Sequence, residues 1–379
     1  MAGPAPVIWS QYEFEQETSP GKVRKALAAI DYLLVRWSMI KDGPSSDTRL
    51  EILRKLSRAC VAYLAVKEAK KTKKEQSLFG RPSPRLLNRI DKVKQLAQQV
   101  FLRLAFERYS YQKGRTKKGQ GLPSKLEGSL ADLKGSYAHE RANFQAIKQD
   151  QGLHGTATPI NPQGASFVHQ RFDPNAPGAA EAAAAAPPAI AALLAKGFNS
   201  LTLAEFNTLS AHFAAGGPTL GADQLVHFAR KDERLREQML VPEGGLLYNT
   251  RGELAELKWG AYAIDRYGNL FVEKANRSWQ EGQRTAQFNH STLCAGRAVI
   301  CAGTIKVSKG LITYISNESG HYKPTTQQLI NAIYTLSDEY TLPLLESVKE
   351  VEEMSAAGPV KHQGMLAFLG AHPELVADR

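Results

Sequence analysis

Cysteine is scarce: the 379 residues contain three, Cys60, Cys294 and Cys301. A small odd number in a long chain excludes a disulfide framework and fits a reducing compartment. The N-x-S triplets at Asn276, Asn289 and Asn317 are then not expected to carry glycans. No run of about 18 apolar residues occurs, which argues against a transmembrane helix. Residues 1–16 lack the basic-then-apolar order of a signal peptide and carry Glu13 and Glu15. The expected location is therefore the cytoplasm, or outside the cell by a route without a cleaved signal. There is also no G-x-S-x-G elbow, which weakens a serine hydrolase.

What is present is enough apolar residue, 43%, to fold most of the chain, and enough length for two or three domains. The net charge of +11 is unevenly spread. Residues 1–150 hold 29 Lys+Arg against 15 Asp+Glu, giving +14, so the remaining 19 against 22 give −3. A basic half of this kind suits phosphate, an acidic protein or an anionic membrane surface; a solvated lysine-rich helical face explains it equally well.

That half reads as helical. Val23, Leu27, Ile30, Leu34 and Trp37 share one face of a helix over residues 20–40. Asp47 is expected to cap a second helix, in which Leu53, Leu56, Cys60 and Tyr63 keep the period and Cys60 is core. Lys67, Lys70, Lys71, Lys73 and Lys74 follow. Ser83-Pro84 starts a third helix with an apolar row at Leu86, Ile90, Val93, Ala97, Val100 and Leu104 and a basic face at Arg85, Arg89, Lys92 and Arg103. Such a helix fits a hydrophobic groove in an acidic partner or a membrane surface, but a bundle needs its apolar face. Residues 108–118 read as a basic loop or frayed end. Tyr109 and Tyr111 beside Lys113, Arg115, Lys117 and Lys118 offer a weaker case for nucleic acid, without a recognised fold motif.

The expected organisation is a basic helical domain over 1–150, a polar and Ala/Pro-rich linker over 151–189, and an α+β domain over 190–379. The stretch PNAPGAAEAAAAAPP at 174–188 offers little to bury. Helices are expected over 190–196, 202–213 and 221–240, the second opened by the capping box Thr202–Glu205. Short alternating runs then predict two hairpins, one turning at 265–269 and one at 308–310, in a small, largely antiparallel sheet. Helices over 326–336 and 343–354 close the chain.

The most distinctive segment is FNHSTLCAGRAVICAGTIKVSKGLITYISNESGHYKP, residues 288–324. It holds an aromatic-x-His-Ser-Thr start (Phe288, His290, Ser291, Thr292), then Ala295-Gly296, Ala302-Gly303, a strand–glycine–strand hairpin at Gly310, and Ser319-Gly320-His321-Tyr322-x-Pro324. This pattern resembles the C-terminal domain of the plant calmodulin-binding IQ-motif-containing family and its bacterial relatives, over roughly residues 245–335. The resemblance implies a shared fold and a shared polar cluster. No IQ motif is present, so it does not carry calmodulin binding to this chain.

Three readings of the cluster compete. Ser, Thr and His can satisfy backbone at turns and strand ends, with glycines supplying close approach. Alternatively His290 or His321 is a general base, Ser291, Thr292 and Tyr322 orient a ligand, and Glu318 is the acid. That grouping is similar to ADP-ribosyltransferases and would make NAD the cofactor of a transferase. A zinc reading of His290, Cys294, Cys301 and His321 lacks any C-x-x-C pair, and no metal is expected. The leading expectation is a binding or effector-type (virulence) protein of bacterial character that engages a partner protein, with the transferase as alternative.

Overall fold

Apolar residues spaced by four and three bury one stripe of each N-terminal helix. The computed structural model describes residues 6–18, 27–43, 45–77, 80–117, 129–134, 165–169, 184–196, 204–205, 208, 212, 224–228, 231–274, 278–281, 284–355 and 357–377. Helices α1 (Gln11–Thr18), α2 (Ala28–Ile40), α3 (Ser46–Glu75) and α4 (Pro84–Lys117) pack together. Ile30, Leu34 and Trp37 of α2 meet Leu53, Leu56 and Cys60 of α3 and Val93, Ala97, Val100 and Leu104 of α4. Each fully buried aliphatic side chain contributes about 1.5–3 kcal/mol. Burial drives the Cys60 thiol up to about 12, as suits a core residue.

Two details differ from expectation. The cap of α3 is Ser45, whose Oγ accepts from the Thr48 N–H at 3.3 Å; Asp47 lies within the helix. Ser83 does cap α4, accepting from the Leu86 N–H, with Pro84 as first helical residue. But α4 does not fray at Arg108; it runs on to Lys117. Tertiary partners hold that last part. Arg108 stacks over the Tyr340 ring at 4.4 Å, and Gln112 Nε2 and Arg115 Nη1 reach Glu339 Oε2 at 3.0 and 3.2 Å.

The helix α5 (Pro188–Ala195) begins where expected, with proline in its first turn. Most of the expected linker and most of the helix expected over 202–213 lie outside the described residues. The helix expected over 221–240 is replaced. Residues Gln224–Phe228 form strand β2, paired with β1 (Ala165–His169) and β8 (Arg284–Gln287), while β7 (Ser278–Glu281) completes that four-stranded sheet beyond β8. A helical turn follows only at Lys231–Glu233, widening into a π-turn over Arg234–Gln238. Non-local pairing overrides local helix pattern there.

The strands β3 (Val241–Glu243) and β4 (Leu246–Tyr248) form a hairpin. The main sheet contains β5 (Leu257–Asp265), β6 (Leu270–Lys274), β9 (Val299–Ser308), β10 (Leu311–Ser316), β11 (Glu350–Ser355) and β12 (Gly358–His362), in the order β12-β11-β10-β9-β5-β6. Every pair is antiparallel except β10–β11. Both predicted hairpins are present. Asp265 fastens the first turn, its Oδ1 accepting from the Tyr267 and Asn269 N–H groups at 2.9 Å. Lys309 (φ 49) and Gly310 (φ 77) make the second, a two-residue turn with left-handed conformation at both positions.

Alternation along the strands gives the sheet two buried faces. Tyr262, Ile264, Cys301, Ile305 and Ile315 pack with Leu329, Ile330, Ile333 and Leu336 of helix α7 (Thr326–Asp338). Ala263, Phe271 and Ala302 point the other way, into the cluster of α2, α3 and α4. Helix α6 (His290–Cys294) covers that side too, through Leu293 and Cys294. The helix expected over 343–354 is a single turn, α8 (Leu344–Ser347), followed by β11. Val351, fully buried, lies between outward Glu350 and Glu352, a strand alternation satisfied only by the distant β10. Short helices α9 (Met365–Gly370) and α10 (Pro373–Ala377) end the chain.

Candidate functional site

The signature segment folds as α6, β9, the Lys309-Gly310 turn, β10 and a compact loop over residues 317–324. Its first polar run is helical, not a strand end. Asn289 is the N-cap of α6, and its N–H donates to Thr292 Oγ1 at 3.3 Å. Ala295 (φ 52) and Gly296 (φ 66) stop the helix, and the Gly296 N–H returns to the Ser291 carbonyl at 2.8 Å.

His290 opens that helix and bonds across to β9, its Nε2 2.8 Å from the Gly303 carbonyl oxygen. A carbonyl only accepts, so Nε2 carries the proton. Burial lowers its pKa to about 4; the Gly303 carbonyl opposes the shift and neighbouring His321 adds to it. His290 is therefore neutral near pH 7. Gly303 is dictated by space: a Cβ there would sit 2.0 Å from the Ser316 carbonyl oxygen.

The second run is tied to main chain in the same way. Asn317, 1% exposed, donates to the Pro324 carbonyl at 2.8 Å and accepts from the Met354 N–H at 2.7 Å, clamping the loop to β11. Ser319 Oγ accepts from the Tyr322 N–H at 3.3 Å. Tyr322 is fully buried, and its hydroxyl donates to the Arg297 carbonyl at 2.8 Å. The His321 carbonyl accepts from Lys134 N–H, while Ala131 exchanges both backbone bonds with Val299 at 2.8 and 2.9 Å. A segment from the N-terminal half thus docks directly on the signature.

Ser291 and Thr292 are fully buried. Glu318 alone of the six expected site residues is exposed, and it accepts from Thr304 Oγ1 at 3.4 Å. The cysteines of the zinc reading are buried. Burial pushes the Cys294 thiol far up, and the Cys301 thiol to about 12 against weaker lowering by Tyr262. Cys301 accepts from the Tyr262 hydroxyl at 3.4 Å.

A different residue, not anticipated from the sequence, is open to solvent: Trp259, which lies against the half-buried Lys306 and the buried Tyr314. Past the part of the sheet covered by α6, Lys306 Nζ sits 4.4 Å over the Trp259 ring and 4.8 Å over Tyr314, with those rings 5.0 Å apart. The Tyr314 hydroxyl donates to Glu352 Oε2 at 2.7 Å. Trp259, 41% exposed, caps this cation–aromatic ridge. The sequence carried one usable sign, a tryptophan in a strand otherwise built for burial. Its outward aim follows from the register shift between Leu257 and Gly260, which no local pattern announces.

The α4 face expected to serve a groove or membrane is occupied. Ile90, Val93, Ala97, Val100 and Leu104 are at most 2% exposed. Some of its cations are paired, Arg103 with Glu107 at 2.7 Å and Lys92 with Glu17 at 2.6 Å. No helix among the described residues is long and apolar enough to cross a membrane.

Residues 233–329 match the family described as IQ motif-containing protein middle domain. Among curated proteins, IQ domain-containing protein IQM2 of Arabidopsis thaliana is 25% identical over 123 residues, 30% of this chain and 19% of the relative. IQ domain-containing protein IQM3 of the same plant is 26% identical over 107 residues, 28% of this chain and 23% of the relative. The C-terminal half thus resembles the IQ-motif-containing family, and the chain spans about a fifth of the length of these relatives. No solved structure matches the chain.

Proposed function

We propose that this protein is a protein-binding module in which the His-Ser-Thr and Ser-Gly-His-Tyr runs are an internal latch and the exposed Trp259, backed by Lys306 and the buried Tyr314, meets the partner. One observation carries the reading: four of the signature side chains spend polar atoms on main chain. His290 is bonded to the Gly303 carbonyl, Thr292 to the Asn289 N–H, Ser319 to the Tyr322 N–H and Tyr322 to the Arg297 carbonyl. With Nε2 protonated, His290 keeps a lone pair only on Nδ1, and a pKa lowered to about 4 makes that nitrogen a poor general base near pH 7. Trp259 has what interface anchors have: an exposed aromatic surface with a cation held against it and little side-chain entropy left to lose.

Protein binding is also the role that the IQ-motif-containing family suggests. Its calmodulin-binding element would have to lie elsewhere than α4, whose apolar stripe is already committed to the bundle. The NAD-using transferase remains the competing proposal and would need His290, Ser291, Thr292, His321, Tyr322 and Glu318 to admit a ligand.

The test places a photocrosslinking residue at position 259 and, as control, at exposed Lys70 of the full chain in its native cell, with purified calmodulin as a separate arm. A discrete protein captured from position 259 and not from 70, with capture lost in Lys306→Ala, supports the proposal. Equal capture from both positions, or NAD-dependent modification of a target protein abolished by His290→Ala in a folded variant, overturns it.

A further inference from the structure

Outside the segment shared with the family, the last strands and helices bring together three ligand-type side chains. Glu353 lies on β11, His362 ends β12, and His372 sits between α9 and α10. One donor atom of each lies within 4.8 Å of the other two, the one such group among the described residues. His372 Nε2 is 2.8 Å and His362 Nε2 is 3.4 Å from the same carboxylate oxygen, Glu353 Oε2. The His362 Nε2 is buried and makes no hydrogen bond.

From this geometry we propose a site for a divalent transition-metal ion, zinc by its donor chemistry, bound by Glu353, His362 and His372. Two imidazoles and one carboxylate are a recurrent zinc ligand set that leaves a fourth position for water. Ligands about 2.0–2.2 Å from a tetrahedral zinc stand roughly 3.3 Å apart, so the present spacings need adjustments of only a few tenths of an ångström for the carboxylate–imidazole edges. The surroundings also suit a metal. Thr326 donates its hydroxyl to Glu353 Oε1, fixing which oxygen faces the histidines. His372 Nδ1 lies 3.9 Å from Glu374 Oε1, an acceptor close to its second nitrogen. Phe368 packs edge-on against both imidazoles, at 5.3 and 5.2 Å, and lowers the local dielectric.

The ion's structural effect is legible from its ligands. It joins the β11–β12 edge to the C-terminal helices, a segment otherwise anchored mainly by Met365 and Phe368. Zinc binding to the folded state then stabilises that edge by mass action.

The experiment strips the full chain with chelator, dialyses it against zinc chloride, and measures metal per chain by plasma mass spectrometry alongside thermal unfolding. The expected result is one zinc per chain, an unfolding midpoint raised by several degrees in zinc, and neither effect in His362→Ala/His372→Ala. Lys361→Ala, an exposed neighbour, should retain both. A folded wild-type chain that takes up no zinc and shows no shift overturns the proposal without any variant. So does a folded double variant that still holds one zinc, which would mark adventitious binding elsewhere.

Discussion

The imidazole of His290 and the carbonyl of Gly303 form a 2.8 Å hydrogen bond that links the short helix of the signature to the central strand of the sheet. The side chain bonded there is neutral by construction, and the glycine is the only residue the strand crossing admits. His290→Ala leaves the Gly303 carbonyl without this partner. The expected loss is about 1–3 kcal/mol in urea unfolding, with the native far-UV spectrum kept.

The same bond sets an acid response. The unfolded imidazole titrates near 6.5 and the folded one at about 4, so in between the unfolded chain binds the extra proton. Stability from this group is complete above about pH 6.5 and falls as pH drops toward 4, by at most about 3 kcal/mol. Urea midpoints measured from pH 7 to 4 should decline more steeply for wild type than for His290→Gln. Parallel curves would show that His290 does not control the slope.

Two signature glycines should behave oppositely. Gly303→Ala drives a methyl into the Ser316 carbonyl at 2.0 Å, backbone that cannot yield cheaply, and should cost at least about 2 kcal/mol or prevent folding. Gly320 has open space and no positive φ, so Gly320→Ala should change stability by no more than about 1 kcal/mol, in the stabilising direction. Expression level and thermal midpoint of the pair decide it.

Asn317 holds the loop of the second run to β11 with both ends of its amide. Asn317→Ala strands the Met354 N–H and the Pro324 carbonyl, and about 1–3 kcal/mol should be lost. Asn317→Asp keeps the acceptor for Met354 but turns an anion toward the Pro324 carbonyl, so it should be no milder. Chemical denaturation of the two variants side by side is the check.

Glu339 joins the last turns of α4 to the sheet half through Gln112 and Arg115. Its substitution by alanine should leave global stability within about 1 kcal/mol, since Glu339 and Arg115 are part-exposed. It should nevertheless speed amide exchange over residues 109–117. Unchanged exchange would mean that Tyr109 packing and the Arg108–Tyr340 stack suffice.

Local chemistry was legible wherever neighbours in sequence complete the structure. The Ser83-Pro84 start of α4, the Asp265–Asn269 turn and the Lys309-Gly310 turn need only residues a few positions apart, and each reads directly. The polar run at 289–292 was recognisable as special, but its helical form and its commitment to main chain depend on β9, which no spacing within the run encodes. The exposed Trp259 and its backing were missed for a related reason: Trp259, Lys306 and Tyr314 meet across three strands.

Amino-acid order alone determined the apolar stripes of the N-terminal helices, both hairpins and the likeness to the IQ-motif-containing family, because backbone conformational preference and side-chain periodicity are short-range. Tertiary structure decided the fate of residues 108–117 and 350–355, whose hydrogen bonds and burial are completed by partners hundreds or tens of positions away. It alone set Glu353, His362 and His372 around one point, since their separation in the chain carries no trace of the parallel β10–β11 pairing and the C-terminal turn that bring them together.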